Sequence, residues 1–555
     1  MGENTNKKKN IACALLAAIM FVFIVMPVLS VFIRAVVSDD GRLNFMGLIN
    51  TIWDSENIKT ILNSLILGIS VVILSSIIAF PLAFLLSKTR YSRLKWLDIV
   101  LMVPFMTPPY ISSMGWILFM QKRGLFQQMF PGTGDLSLRF FSFFGIVLVM
   151  SLHIFPFLTT ILKNALSNID DSLDESASVC GGGLLYRLRR VTLPLLKGNY
   201  AIGALLVFVK TLSEYGTPAT LGRRIGFYVF TTDIHRYATV SPIDFGKAAS
   251  LSSILVTICM IMWIIQSYIT NNNTYNLVGG KGRKNSLNKR NTKMEVLGGV
   301  FIVLVILMAI GIPHFSVIVT SLIDRRGYGM VAGNYTFKHY IALFLENEKA
   351  IKAIRTSGFL ATTAATLATI LGTTTVVVTN NMKRWKKLIE AKAMLPEMIP
   401  NIVLVIGFML FWNKLYKVIP IYNTIWFMVI VFTFMFLPFS IQYVSSSIMQ
   451  IDYNLINAAK VCGANSLYIF RRITFPLVIK GIISGWMMIF IIVFRELVAS
   501  SLIAPPNTLT VSTFIMREFE QGSVSTGMAM AVVCVALTTI SLIIFNQFTS
   551  KRRNT

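Results

Sequence analysis

The chain is short of charge. Only 14% of its 555 residues are Asp, Glu, Lys or Arg, against about 25% in ordinary soluble domains. Acids are scarcest, 24 against 51 Lys and Arg. Five cysteines, Cys13, Cys180, Cys259, Cys462 and Cys534, include no close pair. That spacing excludes a CxxC metal or redox site and offers no disulfide framework. His153, His235, His314 and His339 are scattered without metal-ligand spacing, so no metal site is expected and each reads as a packing residue. The pattern GxxxxGK[ST] is absent, and with it the loop that cradles nucleotide phosphates. No nucleophile stands at a supporting spacing from a base. The chain is expected to be no enzyme and to bind no cofactor of its own.

What is abundant is apolar sequence, 55% of the chain. A bilayer crossing needs roughly 20 such residues in a helix. Windows of that size place about twelve spans, at 11–33, 61–87, 97–120, 141–162, 199–213, 248–270, 296–322, 356–380, 396–412, 425–446, 481–500 and 527–548. The fold class is therefore an all-α membrane protein. Lys7, Lys8 and Lys9 precede a first apolar stretch that runs on through Pro27 and Arg34. It is too long for a signal-peptide core and reads as an uncleaved span.

Twelve spans put both termini on one side. Loops on that side hold 30 of the 51 Lys and Arg but only 10 of the 24 Asp and Glu. Cytoplasmic loops carry the Lys/Arg excess, so both termini are expected in the cytoplasm. The positive balance is spread over short loops between apolar spans, which suits anionic membrane lipids and not nucleic acid.

The sequence is also duplicated. Residues 169–196 (IDDSLDESASVCGGGLLYRLRRVTLPLL) and 451–478 (IDYNLINAAKVCGANSLYIFRRITFPLV) agree at 14 of 28 positions without a gap, at a constant offset of 282. The offset carries Glu214 onto Glu496. Upstream, VPFMTPPYISSMG matches LPEMIPNIVLVIG, pairing Pro104 with Pro396, Pro108 with Pro400 and Gly115 with Gly407. Between the copies, 271–293 is polar, basic and rich in Gly and Asn, as a cytoplasmic linker is. Two parallel halves follow, 1–270 and 294–555, each of about six spans.

Each repeated loop reads as a short helix, a turn and a second short helix. Asp170 and Asp452 stand where a side chain caps the first helix. Gly181 and Gly463 stand where a sharp turn favours a residue without Cβ. Arg189, Arg190, Arg471 and Arg472 lie on the second helix, which Leu193-Pro194 and Phe475-Pro476 are expected to end. Cys180 and Cys462, just before the glycines, are expected to pack as small apolar residues. A structured loop kept twice at fixed spacing suggests docking onto a cytoplasmic partner. The alternative is a re-entry segment whose arginines touch lipid.

The run Glu175-Ser176-Ala177, Gly181, Pro194 resembles the "EAA" loop of binding-protein-dependent ABC importer permeases. Asn457-Ala458-Ala459, Gly463, Pro476 resembles it again. The fused layout is similar to the ferric-iron-type permease family. The resemblance implies a type I importer permease of the bacterial plasma (inner) membrane, with ATP used by a partner subunit. Two copies of a cytoplasmic ABC ATPase would receive the loops through residues around 175–187 and 457–469. An extracytoplasmic solute-binding protein would deliver the solute. Ferric iron is the family's default cargo; related fused permeases carry phosphonates, phosphorylated sugars or thiamine. Ser176 departs from the first alanine of the motif, and Asn457 from its glutamate. A charge-assisted contact to an ATPase arginine is then left to Glu175 alone, and unequal docking is expected.

Glu214 and Glu496 lie near the outer end of each half's fifth span. An acid at that depth is either part of a gate or pathway or a polar link between helices. Lys210, one turn before Glu214, offers it a local pair. Pro104, Pro108, Pro109, Pro396 and Pro400 fall at or within the third spans, as gate-forming kinks; simple helix entry is the alternative for Pro104 and Pro396. An ion-coupled secondary transporter is the rival reading. It needs intramembrane ionisable groups, which are sparse here, and has no use for two matching loops.

Overall fold

The computed structural model describes residues 2–38, 40–169, 171–272, 292–380 and 382–550. The linker expected at 271–293 lies outside these save for two residues at each end, and the cap expected at Asp170 lies outside them too. The described chain is helical almost throughout. Its β structure there amounts to two isolated bridges, Val37 with Leu43 and Ile323 with Tyr335.

Among the described residues, ten helices are long and apolar enough to cross a membrane. They are Asn10–Val36, Ser55–Lys88, Phe143–Ser167, Leu188–Ser213, Phe245–Thr270, Glu295–Leu322, Glu348–Thr379, Ile425–Ile448, Phe470–Phe494 and Val524–Ser541. Two further pairs complete the expected twelve, and neither is straight. Lys95–Met106 meets Pro109–Met129 at 88°, and Arg384–Met398 meets Asn401–Leu415 at 111°. The third span of each half, expected as one crossing, is therefore broken. Thr107 (φ −74°, ψ 134°) and Ile399 (φ −104°, ψ 135°) are extended, the conformation that a following proline imposes. Pro108 and Pro400 then open the second helix of each pair.

The fifth spans differ from expectation at their start. Pro194 and Pro476 do not end the loop helices; the backbone passes through both as helix, from Leu188 to Ser213 and from Phe470 to Phe494. The reason is local. Each proline is preceded by one π turn, Leu188–Thr192 and Phe470–Thr474. A wider turn relieves the clash between a proline ring and the carbonyl behind it. Pro27 and Pro313 follow π turns in the same way, Phe21–Val25 and Leu307–Gly311. The span expected at 481–500 instead stops at Phe494, because the backbone leaves the helix at Arg495.

The chain forms two compact units. In the unit of residues 53–233 and 257–336, Ser55–Lys88, Phe143–Ser167 and Leu193–Ser213 pack together as a three-helix core. Asp54 caps the first of these by accepting from the Glu56 N–H. Its inward face carries Asn57, Thr60, Ser64, Leu67, Val71 and Ser75, while Leu62, Ile66, Ile69, Ile73 and Ile77 are exposed. That is the arrangement of a membrane helix, with small and polar residues at the helix contacts and large aliphatics toward lipid. Glu295–Leu322 crosses Pro109–Met120 so closely that a Cβ on Gly115 would lie 2.5 Å from the Pro313 carbonyl oxygen.

In the unit of residues 1–52, 234–256 and 337–555, Glu348–Thr379, Ile425–Ile448 and Phe475–Phe494 repeat that core. Asn347 caps the first, accepting from the Ala350 N–H, and Ala350, Ala353, Ser357, Ala361, Ala364 and Ala368 form its inward stripe. Here Asn10–Val36 lies across Asn401–Leu415, and a Cβ on Gly407 would collide with the Pro27 carbonyl. Each unit thus takes its first helix from the other half of the sequence. Pro27 on Gly407 repeats Pro313 on Gly115.

Candidate functional site

Both repeated loops fold as the spacing predicts, and alike. Helix Asp171–Val179 is followed by Gly181 at φ +82°, and helix Tyr453–Val461 by Gly463 at φ +81°. The Gly182 N–H donates to the Ala177 carbonyl (2.9 Å) and the Gly181 N–H to that of Ser178 (3.0 Å). In the second copy Ala464 donates to Ala459 and Gly463 to Lys460, both at 3.0 Å. These are the two bonds of a Schellman motif, which a left-handed residue just past the helix end makes possible. Short helices Leu184–Arg187 and Ser466–Ile469 follow and merge through the π turns into the spans. Asp452 caps as expected, accepting from the Asn454 N–H at 2.9 Å.

The residues singled out from the EAA resemblance line this element. Ser176, Asn457 and Ala458 are exposed, Ala177 and Ala459 half-buried, and Arg189, Arg190, Arg471 and Arg472 exposed on the π turns. Glu175 sits on the first helix; its side chain lies outside what the structure describes. Cys180 and Cys462 do not pack inward as expected. Both are exposed, since each is the last residue before the left-handed turn.

Residue type had not pointed to the apolar side chains that the turn presents. Val179 and Val461 are each 88% exposed, and Tyr186 and Tyr468 are 59% and 56% exposed. Leu173 and Leu455 are exposed as well. All three pairs obey the offset of 282, and all three are identical between copies. That identity was the available signal. Each loop therefore offers a small apolar surface flanked by two arginines, closed by a rigid turn.

At the far end of each of the two rods, the helices Leu188–Ser213 and Phe470–Phe494, stands an acid. The Glu214 carboxylate accepts from the Thr217 N–H at 3.0 and 3.2 Å. Glu496, buried, accepts from the N–H groups of Val498 (3.0 Å), Ala499 (2.8 Å) and Ser500 (3.2 Å). Both thus cap the helical segment that follows, Pro218–Gly222 and Val498–Ile503. The Lys210 ammonium lies 5.5 Å over the Phe157 ring.

Hydroxyls complete the arrangement in both halves. Thr231 donates to the Glu214 carbonyl (2.8 Å) and Ser512 to the Glu496 carbonyl (2.5 Å). The Phe230 N–H donates to Ser64, and the Val511 N–H to Ser357, both at 2.8 Å. Sequence reading missed these four residues, which belong to segments with no identity run between the copies. The broken third spans carry their bends at Pro108 and Pro400, whose carbonyls accept from the first turn beyond, at Ile111 and Val403. Among the described residues no three of His, Cys, Asp and Glu converge as metal ligands.

The profile of the binding-protein-dependent transport system inner membrane component matches the chain twice, at 79–275 and 364–555. A ferric transport system permease of Actinobacillus pleuropneumoniae is 24% identical, over 97% of this chain and 78% of its own length. A putative ferric transport system permease of Haemophilus influenzae is 25% identical over 87% of this chain and 76% of its own. A spermidine/putrescine transport system permease from the same species is 26% identical, over 43% of this chain and 91% of its own.

Proposed function

The chain belongs to the family of binding-protein-dependent transport system inner membrane components, and on that premise we propose that it imports ferric iron and seats one cytoplasmic ATPase on each loop. Members of this family are transport subunits and not enzymes. The ATPase is a separate polypeptide, and a solute-binding protein is the other partner. The two loops face the cytoplasm together with both termini.

One observation carries the docking: Val179, Tyr186 and Leu173 are exposed at the same places as Val461, Tyr468 and Leu455. Exposed apolar residues on a rigid turn are stable in a soluble loop chiefly when a partner covers them. Two equal surfaces on one chain call for two copies of one partner. The rods then transmit the motion. Leu188–Ser213 and Phe470–Phe494 are continuous helices, roughly 38 Å long at 1.5 Å per residue. A displacement of Arg189 or Arg471 is carried along one element to Glu214 or Glu496. Each carboxylate is bonded to the next segment, so the acids act as polar links that make that segment follow. ATP binding favours one arrangement of the loops and so one arrangement of the path. Pro108 and Pro400, at the broken spans, are the hinge positions of that path.

Ferric iron is favoured because the ferric permeases align with 97% and 87% of this chain, both halves included. The polyamine permease aligns with 43% of it. The chain is to be co-purified with its ATPase, as wild type and as Gly181→Arg with Gly463→Arg. Arginine in the left-handed region strains each turn by about 1–2 kcal/mol. Two ATPase copies on the wild type and none on the folded variant are expected; an ATPase still bound to the variant removes the loops as its seat. Uptake of radiolabelled ferric iron by the assembled system tests the cargo. Uptake of a polyamine or a phosphonate in its place overturns ferric iron while leaving the docking intact.

A further inference from the structure

Below the first loop, a groove of about 490 Å³ opens beside the rod; Phe80, Arg189, Leu193, Leu196, Lys197 and Tyr200 line it. Arg189, Leu193, Lys197 and Tyr200 follow one another at steps of four, four and three, which places them on one face of a helix. The Tyr200 ring lies 5.0 Å from that of Phe80 on the neighbouring helix, and its hydroxyl is 3.1 Å from Ser76 Oγ. Leu196 is buried, while Arg189 and Lys197 are exposed. Among the described residues, no acidic one lines the groove.

We propose that this groove holds one anionic phospholipid, its phosphate between Arg189 and Lys197 and the start of an acyl chain against Leu193, Phe80 and Tyr200. The order of groups along the groove is the order of layers in a leaflet. A guanidinium lies at the loop end, where headgroups are, and rings and aliphatics lie further along the span. Guanidinium binds phosphate with two parallel hydrogen bonds. Lys197 sits two turns further along and reaches back with its ammonium while its stem covers apolar surface. A single cation near an anionic leaflet attracts lipid too weakly for retention; here two converge with an apolar slot.

The second half lacks this combination. The positions offset by 282 are Arg471, Phe475, Ile479 and Ile482. One arginine remains, the second cation is replaced by isoleucine, and the tyrosine is lost. The lipid therefore belongs to the first rod alone. It gives that rod an attachment to the membrane that its duplicate does not have. This holds whatever solute the chain carries.

The test is native mass spectrometry of the full-length chain in mild detergent, titrated with phosphatidylglycerol or with phosphatidylcholine. One phosphatidylglycerol retained per chain is expected, with phosphatidylcholine lost at least 10-fold more readily. Lys197→Ile, which installs the residue of the second half, should weaken retention at least 10-fold. Lys197→Arg should keep it, and Lys480→Ile, a cation change in the second rod, should leave it unchanged. Elution as a single sharp peak establishes folding of each variant, and Lys197→Gln replaces any that fails. Equal retention of both lipids, or retention unchanged by loss of Lys197, overturns the proposal. So does displacement of the lipid by millimolar inorganic phosphate, which would make the groove a site for free anion.

Discussion

In the loop of residues 451–478, each short helix begins on a side-chain cap. Asp452 holds the Asn454 N–H, and Asn465 holds the Tyr468 N–H at 2.8 Å. In the loop of residues 169–196, Gly183 stands where Asn465 does, and Gly181, Gly182 and Gly183 run together. The turn itself is the same in both, φ +82° against φ +81°, and so is the exposure of the two valines. The first copy has Glu175 where the second has Asn457. Geometry and apolar surface are thus held in common, while rigidity and charge differ. At its second short helix the second loop has a side-chain cap that Gly183 cannot give the first, and the first has the stronger polar contact to offer.

The largest effects should fall on what is common. Val179→Asp and Val461→Asp each place a charge at the centre of an apolar contact. Each alone should lower ATPase retention at least 10-fold in co-purification, and by similar amounts. A large inequality between them would break the equivalence of the two seats. Next come the polar residues. Glu175→Ala should cut transport several-fold and Asn457→Ala by less than half, since a hydrogen bond to a charged group contributes about 1.5–3 kcal/mol. Equal losses would remove the inequality of docking.

Thiol labelling sharpens the comparison without changing the apolar surface. Cys180 and Cys462 are exposed, and Cys13, Cys259 and Cys534 are buried. A membrane-impermeant maleimide should modify two thiols per chain from the loop side, and bound ATPase should protect both. Protection of one alone would show a single seat. The smallest effect is expected from Gly183→Asn. A Cβ there meets nothing within 4 Å, and an N-cap asparagine exceeds glycine by only a few tenths of a kcal/mol. Slower hydrogen exchange at residues 184–187, approaching that at 466–469, would show that the missing cap is what separates the loops.

The spans, the duplication and the turn glycines were legible in the sequence, because long apolar runs and an ungapped identity run have few other physical causes. Pro108 and Pro400 marked a break, but the angle depends on packing that no single residue reports. Pro194 was misleading for a clear reason. A proline reads as a helix end unless a wider turn precedes it, and a π turn has no sequence signature of its own. The exchange of first helices was illegible as well. In Asn10–Val36 the faces toward protein and toward lipid are both apolar, so periodicity does not say which neighbour is buried. Val179 and Val461 were legible only through duplication. An exposed valine is ordinary; the same valine exposed twice at one offset is a surface.

The exchange of first helices also sets a schedule for synthesis. Pro27 lies against Gly407, a residue made 380 positions later. At about 5–20 residues per second, the first helix to enter the membrane waits roughly 20–80 s for the backbone it rests on. Glu295–Leu322 meets no such delay, since Gly115 is already in place when Pro313 emerges. The chain therefore finishes one unit early and keeps the other open almost until its last spans are inserted.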